Sequence, residues 1–155
     1  MSGIHPTTGA NLARNGLHAA IVTAVADDKV DVYHGFESIA VNADWIAVGS
    51  ARSEIDLKNI GPRVSLDETI TIAVNFGAFV PGRAGIGDIS QRAYARAFEL
   101  LEKVQRHVRE TDLTLGGAVL WCVPAGLDAD GAEYEGGFQV EIAADFICRH
   151  RVRAA

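Results

Sequence analysis

The chain has 155 residues, 48% hydrophobic and 22% charged. That is the arithmetic of one soluble globular domain, able to bury about 68–70% of its unfolded surface without a metal or disulfide staple. Its 14 Lys and Arg against 20 Asp and Glu give a net charge of −6, which argues against a surface built to neutralise duplex phosphates. Apolar runs such as Ala19–Val22 fall far short of the ~20 residues of a membrane span, so no membrane contact is expected. The start, Met1–Pro6, lacks the basic and apolar segments of a secretion signal, and a reduced, cytoplasmic setting is the default.

Residues 1–10, with Pro6, Thr7, Thr8 and Gly9, read as a loose N-terminal arm. Asn11 to Ala26 reads as a helix, with Leu17, Ile21, Ala24 and Val25 on one face. Gly16 weakens it by about 1 kcal/mol against Ala, which leaves Asn15 as an alternative cap of a shorter helix. Short strands follow at Val30–Tyr33, Trp45–Gly49 and, weakly, Ser53–Leu57, with a turn at Asn59-Ile60-Gly61-Pro62. From Glu68 to Phe79 the residues alternate, Ile70, Ile72, Val74 and Phe76 against Thr69, Thr71, Ala73 and Asn75. Period two with β-branched residues predicts a half-buried antiparallel strand. Ser90 then caps a long helix whose apolar stripe is Tyr94, Ala97, Phe98, Leu101, Val104 and Val108. Ala118–Val123 and Phe138–Val152 are further strands, with a polar loop from Pro124 to Gly137 between them. The sum predicts an α+β two-layer sandwich, an antiparallel sheet with two helices packed on one face, as a single domain over residues 11–155.

The sequence offers no catalytic constellation. Gly82-Arg83-Ala84-Gly85-Ile86-Gly87 precedes a helix as a phosphate loop would, but it runs GxxGxG and no Gly-Lys-Ser/Thr follows. A strand-to-helix loop accounts for it. If Gly131 stood sixth in a calcium loop, the first and twelfth positions would be Gly126 and Gly137, without the carboxylates the ion needs. The acidic stretch Asp128–Glu135 therefore reads as a solvated hairpin loop with Asp130-Gly131 as turn dipeptide. The 5 histidines form no HxH or HxxxH pair, and Cys122 and Cys148 encode neither a zinc cluster nor a disulfide framework. No nucleophile elbow exists. No catalytic residue, metal ligand or cofactor is expected, and no enzyme.

The order of elements carries more. An N-terminal helix, a few strands and the alternating Asp67–Val74 strand precede the Ala-rich helix Arg92–Val104. Then come Leu113-Thr114-Leu115-Gly116-Gly117-Ala118-Val119, Gly137–Ile142 and Phe146–Val152. This run, over about residues 11–153, resembles the tail terminator (tail-completion) proteins of long-tailed bacteriophages, especially those infecting actinobacteria. The resemblance implies a structural virion protein, assembled in the host cytoplasm. Such proteins form a hexameric ring that caps the tail tube, ends its polymerisation and docks on the head-completion proteins of the neck. Its implied partners are other copies of itself, the major tail tube protein and a head-tail connector or head-closure protein. Genomic DNA passes through the channel without specific binding.

A ring uses head-to-tail interfaces, so each subunit needs two different complementary surfaces. Candidates are the sheet edge, the loop Gly77–Gly87 with Phe79, Val80 and Arg83, and the acidic stretch Leu127–Glu135 with Asp128, Asp130, Glu133 and Glu135. Phe79 and Val80 are apolar where a solvent loop begins, so a partner or the subunit's own core must cover them. Two alternatives stay open: a head-closure or adaptor protein of the same neck, and a small α+β ligand-binding domain or enzyme with a cleft between helix and sheet.

Overall fold

The computed structural model describes residues 3–35, 43–59, 65–82 and 88–153. Eight elements follow one another: β1 (Ile4–His5), α1 (Ala10–Ala24), β2 (Val30–His34), β3 (Asp44–Asn59), β4 (Ser65–Pro81), α2 (Ile89–Glu110), β5 (Trp121–Tyr134) and β6 (Gly137–Arg153). They make the α+β arrangement expected from the sequence, one sheet with both helices against it. The centre, β5–β6–β4–β3, is antiparallel. Its margins are not: β2 runs parallel to β3, and β1 runs parallel to β6 just beyond the end of β5.

Alternation explains the core. Ile70, Ile72, Val74, Phe76 and Ala78 of β4 and Val140, Ile142, Ala144, Phe146 and Cys148 of β6 point to the same side and are buried. Against them α1 lays Ala13, Leu17, Ala20 and Ile21, and α2 lays Ala93, Ala97, Leu100, Leu101, Val104 and Val108. Each large side chain among them contributes roughly 1.5–3 kcal/mol, which makes this the main source of stability. Tyr94 and Phe98, expected on the α2 stripe, flank the core half-buried, while Leu100 lies inside it.

Several boundaries differ from the sequence expectation, each for a local reason. The two strands expected at 45–49 and 53–57 are one, β3, interrupted by a bulge between Val48 and Ala51 that breaks the alternation at Gly49. The polar loop expected from 124 to 137 is mostly strand: β5 runs on to Tyr134 past a second bulge between Pro124 and Leu127. Its far half is exposed on both faces, so it carries no apolar period. Asp130-Gly131 therefore lies in a ladder, and the turn is Glu135-Gly136, where Gly136 takes φ 90°. Ser90 lies inside α2, whose N-cap is Asp88, and α1 begins before Asn15, at Ala10. The turn expected at 59–62 falls, past Asn59, outside the described residues.

The N-terminal residues expected as a loose arm are placed on the sheet. Gly3 O accepts the Arg151 N–H at 3.0 Å, Ile4 and His5 pair with Arg151 and Val152, and the Gly9 N–H donates to Glu68 Oε1 at 2.8 Å.

Candidate assembly surface

Residues far apart in sequence meet at one end of the sheet. Across β4, β6 and β5 the register reads Phe79–Gln139–Ala132, then Val80–Phe138–Glu133, then Pro81–Gly137–Tyr134. The Gly82 N–H donates to Gly136 O at 2.9 Å, which ties the exit of β4 to the hairpin turn. A Cβ on Gly137 would stand 2.4 Å from Val80 O and 2.5 Å from the Phe79 ring, so the residue has room only for hydrogen. On the helix side Tyr94 and Phe138 pair at 6.1 Å between ring centroids over Gly131.

This end gathers six of the sequence-selected side chains. Phe79 is half-buried on the face away from the helices, whereas Val80 packs on the subunit's own core. Asp128 and Asp130 are exposed on the helix-free face, Glu133 is exposed on the helix side, and Glu135 stands at the turn. Arg83 lies outside the described residues. Asp130 faces Glu141 directly across the ladder, with Asp128 and Asp145 on the same face. None of these carboxylates is ion-paired within the described residues. Leu127 and Tyr134 add exposed apolar surface along the same strand, at 41% and 56%.

The sheet edge, named from the sequence without a strand assigned to it, is a second surface. β2 covers β3 only from Asp44 to Val48, and Ser50 to Leu57 are exposed along the remaining edge. Ile55 and Leu57 project there at 49% and 56% exposure. The signal was present in the alternation of Ser53, Ile55 and Leu57 with Arg52, Glu54 and Asp56. Nothing in it distinguishes a covered strand from an uncovered one.

Three polar clusters hold the frame. Glu68 is fully buried, accepts hydrogen bonds from Thr8, Ser53 and the Gly9 N–H, and faces His150 Nδ1 at 3.0 Å. Burial alone would raise its carboxyl, but the bonds from Ser53, Thr8 and Gly9, with His150, outweigh it and hold it below its ordinary value. His18 and His34 stack at 3.6 Å beside Arg14, which donates to the Gly49 and Val48 carbonyls. Burial, then His34 and Arg14, push His18 below its ordinary value against the pull of the Val32 carbonyl. Arg96–Asp44 and Lys103–Asp28, both at 2.6 Å, tie α2 to β3 and to the turn after α1.

Concave surface is shallow and charged. A groove of about 700 Å³ between α2 and β5 is lined by Glu102, Gln105, Arg106, Arg109, Glu110, Val123 and Pro124. It brings no nucleophile and base together. Among the described residues no group of His, Cys, Asp and Glu is arranged to hold a metal ion, and no helix is long and apolar enough to cross a membrane.

No family model matches the chain, and no curated protein matches it. Among solved structures it is similar to a chain from the virion of a native gene transfer agent particle, at 17% identity and a TM-score of 0.51. That match covers 87% of this chain and 94% of the other, so the likeness is one of whole fold.

Proposed function

We propose that the chain is a structural virion protein that assembles head to tail into a hexameric ring. The ring caps the tail tube, ends its growth and joins it to the head-closure proteins of the neck. The observation that carries this is the likeness in fold, over nearly the whole of both chains, to a component of a gene transfer agent virion. The order of elements supports the finer reading. So does the pairing of two unlike free surfaces on one sheet, the β5–β6 end and the uncovered β3 edge, since a head-to-tail contact needs two. Copies of itself, the tail tube protein and a head-closure protein are the partners, and genomic DNA passes without specific binding.

Negative-stain imaging of the purified protein, alone and mixed with tail tube protein, tests the reading. Six-fold rings at tube ends are expected. Rings that bind only the portal side of a neck complex favour the adaptor role, and monomers that never touch tubes sink the assembly reading. Within it, Phe79→Asp is expected to reduce the light-scattering mass from ring to monomer; an unaltered ring removes Phe79 from the interface.

A further inference from the structure

Cys122 of β5 and Cys148 of β6 face each other directly in the antiparallel register. Both are fully buried on the helix side of the sheet, and both are free thiols. The Cys122 N–H donates to Leu113 O at 2.8 Å, away from β6. The two residues therefore occupy a ladder position without mutual backbone hydrogen bonds, where opposed Cα atoms stand about 4.5 Å apart. A disulfide spans Cα separations of about 4.4–6.8 Å, so this position lies at the short end of the permitted range. A hydrogen bond between the two thiols, followed by burial, pushes Cys122 well above the ordinary thiol range, so in the closed sheet Cys122 stays protonated and slow to react.

We infer that Cys122 and Cys148 are a modification site that closes into an intramolecular disulfide when the chain meets a small-molecule disulfide oxidant. Opening of the first residues of β5 exposes Cys122, which loses its proton to solvent. Its thiolate attacks one sulfur of glutathione disulfide; a new S–S bond forms and one glutathione leaves as thiolate. Cys148, deprotonated in turn, attacks the Cys122 sulfur and expels the second glutathione. Two protein thiols are oxidised, one glutathione disulfide is reduced to two thiols, and the balance is complete. A reducing cytosol holds the pair open, and oxidising surroundings close it. The chemistry stands whether or not the chain forms a ring.

The test incubates the full chain with glutathione disulfide, with and without urea below its unfolding transition. Acid quenching, alkylation in denaturant and intact mass measurement follow. The expected product is a monomer lighter by the two thiol hydrogens, with no alkylatable cysteine. Dithiothreitol should reverse it, and mild urea should speed it up. Cys122→Ser and Cys148→Ser should each stop at a mixed glutathione adduct. Two thiols still alkylated after incubation in mild urea would overturn the proposal. So would glutathione adducts or cross-linked dimers as the main products of the unsubstituted chain, or closure seen only above the unfolding midpoint.

Discussion

Glu68 and His150 are the residues on which the most separate segments converge. Through them the turn before α1, the outer half of β3, and β4 and β6 share one buried polar site. Because the Glu68 carboxyl is held below its ordinary value of 4.5, the folded state binds its proton less readily than the unfolded chain does. The stability this contributes is present above the unfolded value and is lost as pH falls through the folded one. Glu68→Gln is expected to cost about 2 kcal/mol at pH 7, since an amide cannot accept all the hydrogen bonds that Thr8, Ser53 and Gly9 donate to the buried carboxylate. It should also flatten the acid limb of the stability profile. Urea titrations of both proteins from neutral pH down into the carboxylate range check this, and parallel acid limbs would contradict it. The sequence shows a Glu in an alternating strand and a His near the chain's end, and both look like ordinary surface residues. Only the register of β4 on β6 makes them neighbours, and periodicity contains no register information.

At the scale of elements, glycine and like charge reverse two simple expectations. Gly16 lies within α1, where Ala should gain about 1 kcal/mol by helix propensity. Yet a Cβ there would stand 2.8 Å from Leu115 O, and Leu115 itself holds a left-handed φ of 51° in the turn that α1 packs against. Gly16→Ala is therefore expected to lose about 1 kcal/mol, since overpacking outweighs propensity, and a thermal melt of the variant measures it. A raised midpoint would show that the turn yields freely. In the β5–β6 hairpin, Asp130 stands directly opposite Glu141. Asp130→Asn should stabilise the free subunit by about 0.5 kcal/mol, an effect that shrinks as salt is added. The helices and the β4 alternation were legible because each buries one continuous stripe. β3 and β5 were not, because each contains a bulge and runs beyond the helices with both faces in water, which removes the period.

For the whole molecule, the net charge of −6 acquires a location. The carboxylates of Asp128, Asp130, Glu133, Glu135 and Glu141 gather at the hairpin end, while Arg149, Arg151 and Arg153 lie toward the other end of β6. Arg149 and Arg151 both lean on Asp67 there, at 3.9 and 3.4 Å. On β6 itself the described cations are confined to one end, with carboxylates at the other, whereas affinity for DNA depends on a continuous cationic track. Filter retention of labelled duplex DNA is expected to stay at background even at low salt; retention that falls steeply with salt would contradict the proposed channel that DNA slides through.

β6 lies between β4 and both β5 and β1, yet it comes after every other described element in the chain. One edge of β4 and all of the β5 and β1 ladders wait for it. On the ribosome the earlier elements can gather as α1, β2, β3, β4 and α2, but they cannot close on Phe146 or His150 until those residues have left the exit tunnel. Entry of β6 into the middle of the sheet then comes late, and β1 docks beside its far end. A pause in synthesis before Gly137 would leave β5 without its ladder and the part of the α2 stripe that faces β6 uncovered, and a chaperone would find its best target in that interval.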